Sequence, residues 1–176
     1  MRIISGKFKS RRFNPPANMK ARPTTDFARE SLFNILNNML DWEETSALDL
    51  FSGTGSIAFE LVSRGCPRVV LVEQDSLNFN FICSIRDKLQ TDELWPLRMD
   101  VFKYLKAGYE KFDFIFADPP YDMAKTNSIP DTIFEGDTLK PDGLLVVEHS
   151  RKMSFATHER FLKEKHYGSV HFSFFQ

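Results

Sequence analysis

Short apolar runs alternate with segments of helical spacing along this chain, and this alternation restricts the possible fold more than any other feature. The apolar runs predict five strands, at residues 47–51, 69–73, 97–100, 112–117 and 143–148. Helices are predicted at about 26–40, 56–64, 76–90 and 102–107, with one or two helical turns within 129–139. Residues 160–167 and 170–175 flank Gly168-Ser169 and are predicted to form an antiparallel pair. The pattern predicts an α/β fold with a doubly wound, mixed seven-stranded sheet and an antiparallel C-terminal strand.

Ligands bind to such sheets outside the carboxyl ends of the strands, and one candidate site directly follows the run at 112–117. The sequence there is Asp118-Pro119-Pro120-Tyr121. Neither proline has an N–H, so this backbone presents acceptors only, and an ionised Asp118 adds a stronger one. The exocyclic amine of a nucleobase is a double donor, and Tyr121 can stack on the face of the base. We therefore predict a site for an amine-bearing base; the alternative is that Pro-Pro ends a strand and Asp118 caps a turn.

A second candidate site lies between the first strand and its helix. The sequence Asp49-Leu-Phe-Ser-Gly53-Thr-Gly55 allows a tight turn but lacks the full pattern of a dinucleotide fingerprint, which makes a pyrophosphate ligand less favoured. Glu73 ends the second predicted strand, where a carboxylate can accept hydrogen bonds from ribose hydroxyls. Asp100 ends the third and is placed to accept from an adenine amine. These residues predict an adenosine compound, although Glu73 and Asp100 could also be helix caps or surface charges.

The first 25 residues contain seven basic side chains and no acidic one, although the whole chain has a net charge of −1. Residues 2–13 are predicted to form a hairpin around Ser5-Gly6, followed by a loop. We expect residues 1–22 to form a basic arm that contacts RNA without being an independent domain, and residues 23–176 to form the main domain. The alternative is a solvated hairpin whose charges protect a sheet edge from aggregation. The candidate RNA contacts are Arg2, Lys7, Lys9, Arg11, Arg12, Arg22 and, on the first helix, Arg29.

Length and composition limit the class of protein. A chain of 176 residues suits one domain with a substantial core. No apolar run is long enough to cross a bilayer, and the first residues lack the apolar segment of a signal peptide, so we expect a cytoplasmic protein. The two cysteines, Cys66 and Cys83, have neither metal-ligand nor redox spacing. No metal is expected, and a monomer is the default.

Several of these segments together carry a family resemblance. The sequences at 49–55 and 118–121, with Glu73 and Asp100, resemble the motifs of class I S-adenosylmethionine-dependent amino methyltransferases. The segments 2–7, 22–36 and 147–149 resemble the bacterial small-subunit ribosomal RNA guanine-N2 methyltransferases more closely. The match covers nearly the whole chain. It implies methyl transfer from S-adenosylmethionine to the N2 amine of a guanine in small-subunit ribosomal RNA, free or in an assembling subunit.

The resemblance also assigns roles to particular residues. It implies that Asp118, Pro119, Pro120 and Tyr121 hold the target base, with Asp118 able to take the proton released by the amine. The methionine part of the cofactor would lie against Asp49, Phe51, Gly53, Thr54 and Gly55. Glu73 and Gln74 would hold the ribose, and Asp100 and Val101 the adenine.

Three other functions remain as alternatives. A DNA amino methyltransferase acting on adenine N6 or cytosine N4 would share the Asp-Pro-Pro-Tyr sequence, but it needs a target-recognition domain for which this length leaves little room. A non-catalytic RNA-binding or nucleotide-binding module would explain the basic arm but not the order of the acids. An NAD-dependent oxidoreductase is disfavoured by the incomplete glycine pattern.

Overall fold

A computed structural model of the chain describes residues 1–19, 25–120, 123 and 125–176. The strands are β1 (Ser46–Leu50), β2 (Arg68–Val72), β3 (Leu94–Leu97), β4 (Phe112–Ala117), β5 (Leu139–Ser150), β6 (Phe161–Tyr167) and β7 (Val170–Phe175). The helices are α1 (Asp26–Leu36), α2 (Ser56–Arg64), α3 (Ser76–Leu89), α4 (Val101–Ala107) and α5 (Ile129–Glu135). In this part of the chain, no helix is long and apolar enough to pass through a membrane.

The strands form one sheet in the order β3-β2-β1-β4-β5-β7-β6. Neighbouring strands from β3 to β5 are parallel, whereas β7 is antiparallel to both β5 and β6. This confirms the predicted doubly wound, mixed sheet with an antiparallel C-terminal strand. The carboxyl ends of the first six strands, β1 to β6, consequently lie at one edge of the sheet, which we call the carboxyl edge.

Each face of the sheet is covered by its own group of helices. Buried residues of α1, α2 and α3 pack with Ala47, Leu71 and Phe116 on one face, which we call the α1 face. Buried residues of α4 and α5 pack with Leu48 and Ile115 on the other. Such cover is what a parallel sheet of short apolar strands requires. Successive residues of a strand point to opposite faces of the sheet. A residue just beyond the end of a strand therefore points to the α1 face if the residue two positions before it does.

β5 is longer at both ends than the predicted 143–148, and two further boundaries, at β3 and α1, also differ from the structure. The third strand was expected at 97–100 but lies at Leu94–Leu97, because Pro96 is tolerated in a strand at the sheet edge and does not end it. Helix α1 begins as predicted, with the Thr25 side chain accepting from the Ala28 N–H, but it ends at Leu36 and continues as a turn. These differences move boundaries without changing the order of elements.

The N-terminal segment does not form the predicted two-stranded hairpin; it contains a series of turns and one antiparallel bridge, between Arg2 and Arg12. The reason is that its backbone bonds to α2. The Ile4 and Ser5 N–H groups donate to the carboxylate of Glu60, at 2.7 and 3.0 Å, and the Phe8 N–H donates to the Ser63 hydroxyl. The segment is thus fixed to the side of the main domain.

Candidate active site

Four carboxylates meet at the carboxyl edge on the α1 face. Asp49 lies within β1, and Glu73, Asp118 and Glu148 lie just beyond or near the ends of β2, β4 and β5. The pairing of Asp49 with Leu71 and Phe116 places Asp49 one same-face row deeper than the other three acids. The sheet therefore brings together acids that are separated by up to about 100 residues of sequence, as the switch-point rule anticipates.

The turn from β1 to α2 provides the glycine loop. Phe51, Gly53 and Gly55 all have positive φ angles, of 59°, 54° and 74°. At Gly55, a Cβ atom would come within 3.1 Å of both Ile82 and Phe59, so close packing as well as conformation requires glycine there. The Phe51 ring packs against Phe102, the second residue of α4. The loop therefore runs close between α2 and α4 at the carboxyl edge.

Asp49 lies beneath this loop and supports it. Its carboxylate is 1% exposed and accepts a hydrogen bond from the Ala58 N–H at 3.2 Å, in the first turn of α2. Gly55 has no side chain to cap this helix, so Asp49 provides the cap from the strand. Burial raises the pKa of Asp49 to about 7, and the negative charge of Glu73 contributes in the same direction. The buried Asp49 thus supports the glycine loop from beneath, through its hydrogen bond to the start of α2.

Glu73 connects the loop to the start of α3. Its two carboxylate oxygens accept from the Gly53 N–H and the Asp75 N–H, both at 2.7 Å. Burial raises the pKa of Glu73, although these backbone donors and the Asn78 side chain oppose the rise. The Oδ1 atom of Asn78 is buried without a hydrogen-bond partner among the described residues. A buried acceptor beside an acid and a glycine loop fits a ligand that carries hydroxyl or amine donors.

The other predicted cofactor residues lie around this centre in different environments. Thr54 and Val101 are buried, whereas Gln74 is exposed. Asp100 lies in the loop after β3, where its Oδ1 accepts from the Lys103 N–H at 3.0 Å and caps α4. This is the helix-cap role that the sequence left open. The hydrogen bond from the Lys103 N–H uses one carboxylate oxygen of Asp100, and the second oxygen remains able to contact a ligand.

The Asp-Pro-Pro sequence directly follows β4. The Asp118 N–H donates to the Leu50 carbonyl, which holds the end of β4 against the end of β1. Pro119 is buried and Pro120 is exposed, and the Pro120 carbonyl accepts from the Met123 N–H at 2.9 Å. Tyr121 and the neighbouring residues 122 and 124 lie outside the described residues. Burial raises the pKa of Asp118 well above its ordinary value, and the charges of Glu148 and Asp49 raise it further.

Glu148 is a site residue that the sequence reasoning did not assign. It is 3% exposed and directly follows Val147, the residue paired with Ala117 in β4. The sequence does contain an indication that Glu148 belongs to the site, since residues 143–148 form an apolar run that ends on an acid, as the second and third predicted strands do. From the sequence, this run predicts a strand and forms part of the family resemblance, without a role for Glu148 in the site.

The predicted RNA-binding residues do not share one environment. Lys9, Arg11 and Arg12 are exposed, while Lys7 pairs with Glu93. Arg2 is half-exposed and donates to the Asp26 carboxylate at 3.1 Å.

Arg29 requires a correction, and Arg22 lies outside the described residues. The Arg29 side chain is 1% exposed, and its Nη2 donates to the Arg2 carbonyl at 2.5 Å and to Asp26 at 2.8 Å. It joins the N-terminal segment to α1 and has no surface for a phosphate. Helical spacing could have suggested this, since Arg29 falls on the same side of α1 as the buried Leu32, Phe33 and Leu36.

Comparison with known structures identifies the class of fold. A hypothetical protein of Thermus thermophilus superposes with a TM-score of 0.87 over 100% of this chain and 99% of the other, at 24% identity. A "putative methylase" of Haemophilus influenzae superposes with a TM-score of 0.80 over 99% of this chain and 97% of the other, at 28% identity. The fold is the Rossmann-like fold of the class I methyltransferases, with the acids and glycine loop at the carboxyl edge.

The family follows from the sequence comparisons. The family model described as "Conserved hypothetical protein 95" matches residues 1–176, and the chain belongs to that family. "Ribosomal RNA small subunit methyltransferase D" of Buchnera aphidicola is 33% identical over 88% of this chain and 78% of its own length. The protein of the same name from Haemophilus influenzae is 30% identical over 100% of this chain and 93% of its own length.

Proposed function

We propose that this protein transfers a methyl group from S-adenosylmethionine to the exocyclic N2 amine of a guanine in small-subunit ribosomal RNA. The observation that carries the proposal is the half-buried carboxyl of Asp118, with its raised pKa, at the start of an Asp-Pro-Pro sequence that directly follows β4 and lies beside the end of β1. The two relatives named above, both called ribosomal RNA small subunit methyltransferase D, support ribosomal RNA as the substrate. We expect the protein to act as a cytoplasmic monomer.

The donor site would be formed by the glycine loop and the acids around it. Glu73 keeps lone pairs beyond the two backbone donors it binds, so it can accept from ribose hydroxyls, with Gln74 beside it. Asp100 and Val101 would hold the adenine at the start of α4. The methionine part would lie against Asp49, Phe51, Gly53, Thr54 and Gly55. When bound, S-adenosylmethionine supplies an electrophilic methyl group on a sulfonium.

The acceptor site would be formed by the Asp-Pro-Pro-Tyr sequence. The guanine amine is conjugated to its ring and weakly nucleophilic, so two acceptors, the Asp118 carboxylate and the Pro119 carbonyl, would orient it. Positioning of this kind can supply about 7–11 kcal/mol of a barrier. The raised pKa makes the ionised Asp118 a stronger base than an ordinary aspartate, which suits it to receive the proton lost from the methylated amine. Pro120 would keep the sequence rigid, and Tyr121 would stack on a base removed from its helix.

The N-terminal arm would bind the RNA backbone. Lys9, Arg11 and Arg12 are exposed on a segment that the Glu60 and Ser63 contacts hold in place. Arg2, Lys7 and Arg22 are further candidates for contacts to phosphates. Such contacts position an RNA without selecting a base.

The reaction can be tested with labelled S-adenosylmethionine. The protein is incubated with small-subunit ribosomal RNA that lacks its natural methyl groups, with the corresponding subunits, or with DNA, and the modified nucleoside is identified. N2-methylguanosine in the RNA or subunit samples is the expected product. N6-methyladenine or N4-methylcytosine in DNA would replace the proposal with a DNA methyltransferase. No transfer to any of the three substrates would favour a binding module.

A further inference from the structure

Two aromatic side chains meet at the carboxyl edge beyond the acids. Phe27, in the first turn of α1, is 69% exposed. Its ring lies edge-to-face with Tyr167, the last residue of β6, at 5.9 Å between centroids and an interplanar angle of 83°. Tyr167 is half-buried against the core of the α1 face. Tyr167 thereby supports the Phe27 ring while most of the Phe27 surface stays in solvent.

The register of the sheet places this pair beside the candidate active site. Lys165 pairs with Phe172, and Phe172 with Glu148, so Lys165 lies in the same row as Glu148 and Asp118. Tyr167 is two residues further along β6 and projects beyond that row. Three strand spacings separate β6 from β4, which gives about 14 Å between Asp118 and Lys165 and about 16 Å between Asp118 and Tyr167 at the end of β6. A few nucleotides of single-stranded RNA span such a distance.

Basic residues lie on the elements next to the aromatic pair. On β6, Lys165 is exposed and shares the α1 face with Tyr167, because the two residues are separated by two positions. In the N-terminal segment, the half-exposed Arg2 bonds to Asp26, which precedes Phe27 in α1. Asp26 is itself bound by two arginines, and the remaining acid on α1 is the exposed Glu30. An exposed aromatic face with basic residues on the adjoining elements is a combination that binds single-stranded nucleic acid through stacking and phosphate contacts.

We propose that Phe27, supported by Tyr167, is a stacking surface for an unpaired base of the RNA substrate, a few nucleotides from the base held at Asp118. This inference rests on the proposed function for the identity of the RNA. It gives the site a second point of contact with the bases, in addition to the backbone contacts of the arm. Stacking is tolerant of base type, so Phe27 contributes to the affinity for RNA and to the position of the RNA strand more than to recognition of its sequence.

The test measures RNA binding separately from catalysis. The probe is radiolabelled, unmethylated small-subunit ribosomal RNA in a filter-binding titration. We expect Phe27→Ala to weaken binding by roughly fivefold to a hundredfold, and Phe27→Trp to bind as well as the wild type or better. The matched control is Tyr109→Ala, since Tyr109 is 63% exposed and lies between α4 and β4, at the opposite edge of the sheet. Because Phe27 is mostly exposed, the thermal midpoints should remain close to that of the wild type.

The outcomes distinguish this inference from the proposed function. If the wild type transfers methyl groups but Phe27→Ala binds RNA as the wild type and the control do, the stacking surface is refuted and the activity stands. If the wild type transfers no methyl group but Phe27→Ala still weakens RNA binding selectively, the activity fails and the stacking surface stands. If Phe27→Ala leaves RNA binding unchanged but dissociates a dimer in sedimentation, the pair is a contact between copies and the inference is overturned.

Discussion

Asp118 and Glu148 are neighbours near the carboxyl ends of the parallel strands β4 and β5. The residues before them, Ala117 and Val147, are a pair in the β4-β5 ladder, so the two acids lie at the same level, Asp118 just beyond β4 and Glu148 within β5. Each negative charge disfavours the other, and with burial this raises the pKa of Asp118. Glu148 therefore tunes a neighbouring acid and is more than the end of a buried strand.

Removal of the Glu148 charge should change the pH at which the enzyme becomes active. Asp118 must be ionised to accept a proton, so kcat is expected to rise with pH through the raised pKa of Asp118. In Glu148→Gln that pKa falls, and the rise in kcat should move to lower pH. The measurement is a pH profile of methyl transfer to RNA. Asp137→Asn, an exposed acid that follows α5 at the opposite edge, is the control and should keep the wild-type profile. An unchanged profile in Glu148→Gln would show that the two carboxyls are not coupled.

Replacement of Asp118 should separate chemistry from cofactor binding. Asp118→Asn keeps an acceptor oxygen for the amine but cannot take its proton, so kcat should fall by about a hundredfold or more. The cofactor contacts proposed for Glu73 and the glycine loop are untouched, so the Kd for S-adenosylmethionine should stay within about twofold. Single-turnover methyl transfer and equilibrium binding of the cofactor measure the two effects. Wild-type turnover in this variant would refute the role given to Asp118.

Asp49 should make the folded protein less stable as the pH rises. Its pKa is raised from 3.8 to about 7 in the folded state. The folded state therefore binds more protons than the unfolded chain between about pH 4 and pH 7, and this contribution to stability is lost as pH increases through that window. Asp49→Asn cannot titrate, so the variant does not lose this contribution to stability as the pH rises. Its side-chain oxygen can still accept from the Ala58 N–H. We expect the variant to gain stability relative to the wild type at pH 8 and little at pH 4 in urea denaturation. An equal effect at both pH values would contradict a buried, titrating Asp49.

Gly6 should be necessary for docking of the N-terminal segment. Its φ is +78°, and a Cβ there would lie 1.7 Å from the Ser63 carbonyl oxygen, so Gly6→Ala must displace the segment from α2. We expect a loss of roughly 1–3 kcal/mol in the free energy of unfolding and faster proteolysis of the first 13 residues. Gly168→Ala is the matched control, because Gly168 also has positive φ, +64°, but no atom of the described residues lies within 4 Å of the added Cβ. Equal losses in both variants would mean that the close contact with Ser63 is unimportant.

The exposed cations of the arm should contribute to RNA affinity without affecting the reaction itself. Replacement of Lys9, Arg11 and Arg12 by Gln should weaken RNA binding and reduce the slope of log K against log salt concentration by about one for each phosphate that the variant no longer neutralises. Lys106→Gln, an exposed residue at the end of α4, is the control. A normal salt slope in the triple variant would restrict RNA binding to other parts of the surface.

Local sequence determined the elements and most of the acids at their ends. The boundaries of α2 and β4 were predicted to the residue, and α1 begins at Asp26 as expected. These features depend on short-range rules of periodicity, capping and turn chemistry, which act over a few residues. The same rules, with the alternation of strands and helices, were sufficient to place the glycine loop and Asp118 at the carboxyl ends of strands.

The tertiary structure decided which residues, distant in the sequence, contact each other. Arg29 was predicted to be a surface cation but is buried against Arg2, and Glu148 gained its importance only through the pairing of β5 with β4. The N-terminal backbone bonds to Glu60, some 56 positions away, where the sequence predicted a self-contained hairpin. Phe27 and Tyr167 lie at opposite ends of the chain and meet because α1 packs against β6. Such partners depend on long-range packing, so no local pattern specifies them, whereas the chemistry of each residue was already present in the sequence.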